Sequence, residues 1–333
     1  MSVDAILDRA FVPLREAAEA KRIPGGVLGV IDASGARAVR SIGSAQLVPT
    51  QRPMTEDTWF DLASLTKVLF TTPRILALAA AGAIDLDAPL ISVLPDFRQY
   101  NPDNWERKVT FRQCLGHQTA FPGVVPIYTY GTDPNLLRAW VMQHEWVAGP
   151  AVYSDINFIL LGFVLERLTG KLIRQQDPGS GFAWSADPAK AAATEQDAWR
   201  GRVVVGEVHD ENCYALQGSG HAGLFGTVTS VLDYAQALLN GVPETDLIRT
   251  PISGKRTHGW ERPYDGWSGG DHCSTMGPRF SGRSNIPSIA TASPVLPVMA
   301  PQSLPRLFRT SSPVLPTATN AITSLSSVNN RPT

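Results

Sequence analysis

The sequence predicts an α+β protein in which strand-bearing segments enclose a helical lobe. Three observations carry this reading. The 333-residue length exceeds what one hydrophobic core usually fills, so two lobes or a large insertion are expected. Two short, partly β-branched runs near the start flank a tight turn, which reads as an antiparallel hairpin. Residues 85–200 then carry helical apolar spacing before a strand and a glycine-rich turn follow. The boundaries drawn from these patterns give a discontinuous α/β lobe from 1–84 and 201–271 and a helical lobe from 85–200, with a compositionally different tail at 272–333.

In chain order, Ile6, Leu7, Phe11 and Leu14 recur at helical intervals, and Pro24-Gly25-Gly26 forbids continuation, so an amphipathic helix opens the chain. Residues 27–31 and 38–42 are the hairpin strands, joined by Asp32-Ala33-Ser34-Gly35 with Gly35 available for a positive φ. Leu65, Val68, Leu69, Thr72, Leu76 and Ala79 predict a helix over 64–81 with Ser64 in its first turn and Gly82 at its end. Pro73 conflicts with that helix, because an interior proline costs about 3 kcal/mol. Further helices are expected over 111–115, 136–144 and 156–168, a strand over 203–208, and a last helix over 228–239.

Composition excludes several classes. Hydrophobic residues at 43% against 18% charged supply a packed core, which disordered chains lack. A formal charge of −1 provides no field to gather phosphates, so no nucleic-acid partner is expected. Cys114, Cys213 and Cys273 are far apart and outside any C-x-x-C pair, which argues against a disulfide framework or structural zinc and for a reducing compartment. Asp4 interrupts the N-terminus before any basic head and apolar run, so the chain reads as cytoplasmic. The richest apolar stretch, 68–84, is broken by Thr71-Thr72-Pro73-Arg74, so no membrane span is expected.

The tail differs. From His272 to Thr333 there is no Asp, Glu or Lys, while Pro, Ser and Thr abound. Two readings stay open: a disordered tail, or a stretch translated in a shifted frame that replaces genuine strands.

Chemistry concentrates in a few places. Ser64-Leu65-Thr66-Lys67 is a Ser-x-x-Lys, which on a helix sets a nucleophile and an amine on one face, about 5 to 6 Å apart at Cβ. Chance supplies about 0.4 such pairs in this composition, so a capping serine beside a solvated lysine is the competing reading. Tyr153-Ser154-Asp155 precedes an apolar helix, either as an N-cap or as a phenol aimed at Ser64. Gly218-Ser219-Gly220-His221-Ala222-Gly223 spells G-x-G-x-x-G but neither closes the first strand of a βαβ unit nor meets an acid about 20 residues on. Close backbone approach explains those glycines better than a dinucleotide. His209-Asp210-Glu211-Asn212 has ligand-type residues in a spacing that points them apart, so no metal is expected.

Taken together in order, Phe60-Asp61-Leu62-Ala63-Ser64-Leu65-Thr66-Lys67, Leu115-Gly116-His117-Gln118-Thr119-Ala120, Tyr153-Ser154-Asp155 with Leu160-Leu161-Gly162, and Gly220-His221-Ala222-Gly223-Leu224-Phe225 resemble the serine β-lactamase-related hydrolases. The branch resembled is class C, with its β-lactamases, penicillin-binding D,D-peptidases and carboxylesterases of the same fold. The resemblance implies the β-lactamase/transpeptidase-like architecture: a mostly antiparallel sheet flanked by helices, an inserted all-helical lobe, and a groove between them. It implies Ser64 as nucleophile, Lys67 as its partner, Tyr153 as general base, and Asp155, His221 and Gly223 as substrate-binding positions. Asp155 stands where class C enzymes carry asparagine, which exchanges an amide donor for an acceptor or acid and weakens β-lactam recognition. The family's Lys-Thr-Gly or His-Thr-Gly has no clean copy; Gly266-Trp267-Ser268-Gly269-Gly270 and Ser274-Thr275-Met276-Gly277 stand in that neighbourhood, and the C-terminal strands are expected to be lost.

The implied chemistry is acyl transfer through an acyl-enzyme, with no cofactor and a small ester or amide as substrate. Either Lys67 or Tyr153 stays open as the immediate base, since an ammonium favours a phenolate while burial favours a neutral lysine. A carboxylesterase of small acyl esters is the first expectation, a β-lactamase or D,D-peptidase the second. A catalytically inactive ligand-binding relative is the reading from another class. The oligomeric state stays open.

Overall fold

The computed structural model describes residues 2–241 and 245–261. Cys273, the two segments searched for the third motif and the whole 272–333 tail lie outside the described residues.

α1 (Val3–Glu19) starts at Ser2, whose hydroxyl accepts the Ala5 N–H at 3.3 Å, with Asp4 at the positive end of the helix. Leu7, Phe11 and Leu14 are buried against Leu28 and Val30 of β1 (Gly25–Ile31). That strand pairs antiparallel with β2 (Arg37–Gln46), Val27 opposite Ser41 and Ile31 opposite Arg37, around a turn in which Gly35 takes φ +88°. β3 (Arg52–Pro53) extends the sheet on the far edge of β2. Alternate residues of β1 face opposite ways, so Leu28 and Val30 meet α1 while Val27 joins the main core.

β4 (Phe60–Asp61) leads into a 3₁₀ turn at Ala63–Leu65, a π-helical turn at Lys67–Thr71, and then α2 (Thr72–Ala80). The single helix expected over 64–81 is therefore three pieces. The break at the π turn makes Pro73 tolerable: Pro73 falls in the first turn of α2, where a missing N–H leaves no gap in the ladder.

α3 (Phe111–Leu115) is closed by a reciprocal cap between Thr110 and Gln113, and α4 (Pro134–Gln143) by Asp133. α5 (Asp155–Thr169) is buried at every residue from Ile156 to Leu165 and stops at Gly170 in the left-handed region. Strands return before residue 200: β5 (Phe182–Ala183), then β6 (Ala193–Asp197), which forms a hairpin with β7 (Arg202–Val205). After α6 (Glu211–Ala215), β8 (Phe225–Gly226) lies between β4 and β5. The stretch drawn as a helical lobe thus supplies strands at its C-terminal end, too short to show alternation in sequence. α7 (Val228–Asn240), capped by Thr227, and α8 (Thr245–Arg249) follow.

One core cluster includes Val27, Phe60, Phe70, Phe111, Phe158, Leu224 and Val231, so the strand-bearing and helical segments share it. The glycine-rich segment is seated on α5. A Cβ on Gly220 would stand 2.4 Å from the Phe158 carbonyl oxygen, and one on Gly162 would stand 2.6 Å from the Gly220 nitrogen. Only glycine at both positions allows that approach. No helix among the described residues is long and apolar enough to cross a membrane.

Candidate active site

Ser64 is presented by a strained turn. Ala63 takes φ +45°, a conformation that costs an L-residue about 1 to 2 kcal/mol. Asp61 holds it: one carboxylate oxygen accepts the Ala63 N–H at 2.8 Å and the other the His209 N–H at 2.7 Å. Burial raises the Asp61 carboxyl above its ordinary value despite those two amides. Thr66 fastens the far side, donating to the Ala63 carbonyl at 2.7 Å and accepting the Leu224 N–H at 3.1 Å. The turn leaves Ser64 exposed at the end of β4.

Lys67 lies beneath it, 2% exposed. Its Nζ donates to Ser64 Oγ at 2.9 Å and to the His221 carbonyl at 3.1 Å. Asp155 Oδ1 stands 2.9 Å from the same nitrogen as an ion pair set off the hydrogen-bond axis. The Tyr153 ring centroid lies 5.0 Å from Nζ, and its hydroxyl interacts with the amine. Burial pulls the Lys67 amine down, but the interactions with Tyr153 and Asp155, chiefly coulombic, outweigh it, and its value is raised. Burial thus acts on Lys67 in the expected direction, and the neighbouring Tyr153 and Asp155 outweigh it.

Tyr153, 40% exposed, sits just ahead of α5. The neighbouring chain fixes it: Ser154 Oγ donates to the Pro122 carbonyl at 2.6 Å, and the Asp155 N–H to the Gly123 carbonyl at 3.0 Å. Ser154 occupies the N-cap position of α5 but spends its hydroxyl on Pro122 rather than on a helix amide.

The structure brings Ser64, Lys67, Tyr153 and Asp155 together and sets two other expected residues apart. His221 does not offer its ring to a groove. The ring is buried, Nδ1 engaged by Ser219 Oγ at 2.8 Å and Nε2 by Asp210 at 2.9 Å, so only its carbonyl touches the site. The imidazole beside Asp210 holds that carboxyl well below the usual carboxylate range, against the effect of burial. Gly223 is likewise buried, at φ +101°, where a Cβ would press within 2.9 Å of Cys213 Sγ. The His209-Asp210-Glu211-Asn212 group is dispersed: His209 Nε2 meets Glu195 at 2.6 Å, Asp210 caps α6, and Asn212 accepts the Tyr128 N–H at 3.1 Å.

Sequence reasoning takes His117 for an isolated structural or surface histidine; its ring packs on Tyr153 at 4.3 Å between centroids. Its Nδ1 accepts the Ser154 N–H at 3.1 Å and faces the Asn157 amide at 3.3 Å, while Thr119 donates to the Asn157 side-chain oxygen at 2.7 Å. Burial, then the charges of Arg256 and Lys67, lower the imidazole to about 3, so it is neutral with its proton on Nε2. The block Leu115–Ala120 signalled something here, but no spacing ties it to Tyr153.

This fold defines a class of protein in which helices and small antiparallel sheets carry a Ser-x-x-Lys turn. The family described as Beta-lactamase matches residues 7–270, and the chain belongs to it. The architecture is β-lactamase/transpeptidase-like. An N-acetylmuramyl-L-alanine amidase of Bacillus subtilis (strain 168) is 28% identical over 234 residues, covering 59% of this chain and 53% of that protein. A putative D-alanyl-D-alanine carboxypeptidase of Escherichia coli (strain K12) is 26% identical over 226 residues, covering 56% and 52%. The chain spans about half the length of these curated relatives. A β-lactamase from Sulfitobacter sp. EE-36 shares the fold with a TM-score of 0.62 at 20% identity, over 78% of this chain and 74% of that one.

Proposed function

We propose that this protein is a cytoplasmic serine hydrolase that cleaves small acyl esters through an acyl-enzyme on Ser64. The observation that carries the reading is the 2.9 Å hydrogen bond from the buried Lys67 amine to the exposed Ser64 hydroxyl. Lys67 donates its hydrogen bond to Ser64 Oγ here, which supports a partner other than the amine as the base. We assign the base role to Tyr153, whose ring lies 5.0 Å from Lys67 Nζ.

In acylation the Ser64 proton passes to the Tyr153 oxygen as the Oγ–carbon bond forms and the carbonyl electrons move onto oxygen. Collapse breaks the bond to the leaving alkoxide, which takes the proton from Tyr153 and departs as an alcohol. In deacylation water gives its proton to Tyr153 and bonds to the acyl carbon, the carbon–Oγ bond breaks, and Ser64 recovers the proton. Every proton is returned, so no cofactor enters. Asp155 contributes as counter-ion to Lys67 rather than as an amide donor, which supports esters over β-lactams. The free, buried Cys114 and Cys213 support a reducing compartment.

The names of the amidase and carboxypeptidase relatives support a second reading, cleavage of an amide in a peptide. Turnover of p-nitrophenyl butyrate, nitrocefin and a D-alanyl-D-alanine peptide, with fluorophosphonate labelling mapped by mass spectrometry, decides. We expect ester turnover and a Ser64 adduct, both lost in Ser64→Ala. Activity on the peptide or nitrocefin alone reverses the order, and a folded but unlabelled protein supports a ligand-binding relative.

A further inference from the structure

The π turn that follows Ser64 leaves the Val68 carbonyl without a helix amide. Within that turn the Thr72 N–H goes to the Lys67 carbonyl, five residues back. The same pattern would give Val68 the amide of the next residue, but that residue is Pro73, which has no N–H. An α-helical pattern would offer the Thr72 N–H instead, and Lys67 already holds it. The ladder of α2 misses nothing at Pro73; the turn behind it does. Val68 is 4% exposed, so its carbonyl needs a partner from the protein. Tyr234 of α7 supplies one, its hydroxyl donating to the Val68 oxygen at 2.9 Å.

We propose that Tyr234 is a positioning residue whose hydroxyl stands in for the amide that Pro73 lacks and so holds the π turn that sets Lys67 against Ser64. The inference rests on the reading of Lys67 as the partner of the Ser64 nucleophile. The widened turn sends Lys67 and Thr71 to the same neighbour: Lys67 Nζ donates to the His221 carbonyl at 3.1 Å and Thr71 Oγ1 to the Gly220 carbonyl at 2.6 Å. Both side chains are buried there. Without the tyrosine hydroxyl, the Val68 carbonyl regains a helix donor only by taking the Thr72 N–H from Lys67, which is the α register. That exchange removes the extra residue of the π turn and rotates the chain ahead of it by about 100° against α2. Lys67 then leaves its contacts with the His221 carbonyl and Asp155.

The test uses the full chain as wild type, Tyr234→Phe, Pro73→Ala and the double variant, because Pro73→Ala returns the missing amide. Fluorophosphonate labelling of Ser64, ester turnover and urea unfolding are measured on each. The Lys67 side-chain resonance is followed by nuclear magnetic resonance in lysine-labelled protein and assigned by its loss in Lys67→Met. Tyr234→Phe is expected to slow labelling and kcat about tenfold with KM within about threefold, and to move the Lys67 resonance toward those of exposed lysines. In the Pro73→Ala background the same change should cost less than about twofold. Lower stability with unmoved labelling and an unmoved resonance overturns the proposal in favour of a packing role. An equal loss in both backgrounds shows that the hydroxyl does not replace the amide and also overturns it, and a Tyr234→Phe variant indistinguishable from wild type does so outright. A wild type that leaves Ser64 unlabelled refutes the hydrolase reading, whereas the Lys67 resonance still decides the role of Tyr234.

Discussion

The ion pair between Lys67 and Asp155 yields a prediction that needs no substrate. The two groups are 2.9 Å apart with side chains 3% and 15% exposed. At an effective dielectric of about 20 the gross attraction is about 6 kcal/mol, most of it offset by the desolvation of both ions. Breaking the pair from one side is a different matter, and costs about 3 to 5 kcal/mol in buried sites. Lys67→Met leaves the carboxylate buried, though the N-terminal end of α5 recovers about 0.5 kcal/mol, so about 3 kcal/mol is expected. Asp155→Asn leaves an ammonium that keeps Ser64 Oγ and the His221 carbonyl, so about 2 kcal/mol is expected. The double variant leaves no orphaned charge and should cost about 3 kcal/mol rather than about 5, a coupling of about 2 kcal/mol. Urea unfolding followed by tryptophan fluorescence at constant m measures all four corners of the cycle. Coupling below about 0.5 kcal/mol would show that the two side chains do not share a buried pair, and the argument for a lysine held as ammonium would fall with it. The sign with pH follows. Because the Lys67 value is raised above 10.5, its contribution is complete below that pH and is lost as pH rises through the higher folded value, a decline that Lys67→Met should lack.

Two other residues give separate tests. The His117 imidazole is lowered to about 3, so between its ordinary value of 6.5 and about 3 the unfolded chain binds more protons, and stability falls by a few kcal/mol as pH drops through that window. Thermal unfolding of His117→Gln should start lower at neutral pH but slope less on acidification; parallel slopes would exclude a buried neutral histidine. Gly220→Ala places a methyl 2.4 Å from a backbone oxygen of α5, which should cost about 2 to 4 kcal/mol and, by shifting the His221 carbonyl off Lys67, slow Ser64 labelling as well. Wild-type stability in that variant would mean the segment does not rest on α5.

The elements legible in the sequence are those whose signal is local. α1, the β1–β2 hairpin and α5 each announce themselves by periodicity and a terminating glycine or turn, and each occurs where expected. β4, β5 and β8 do not, because two-residue strands have no alternation and are defined only by one another. The break of the 64–81 helix was half visible. Pro73 marked a conflict, but that a π turn resolves it depends on Lys67 being drawn inward by Asp155 and the His221 carbonyl, both distant in sequence. The site divides in the same way. Ser64 and Lys67 are three apart and readable, whereas His117 and Arg256 reach Tyr153 through tertiary packing alone. His221 and Gly223 were assigned from a matched block, and their packing against Asp210 and Cys213 could not be read from it.

Asp155 links these observations to the choice of base. In the proposed mechanism an asparagine at this position would place a neutral amide beside the lysine and leave only Tyr153 to oppose the effect of burial. The two groups would then compete for one proton. In the proposed mechanism a carboxylate 2.9 Å away favours the ammonium, which leaves proton acceptance to Tyr153. The same substitution removes the amide that would bind a substrate carbonyl. One residue thus fixes the lysine's charge and narrows the substrates together, and Asp155→Asn should move both. Relative to p-nitrophenyl butyrate, nitrocefin turnover should rise while the alkaline limb of ester turnover retreats to lower pH. A variant that changes the limb but not the substrate ratio would separate the two roles and leave Asp155 as a counter-ion alone.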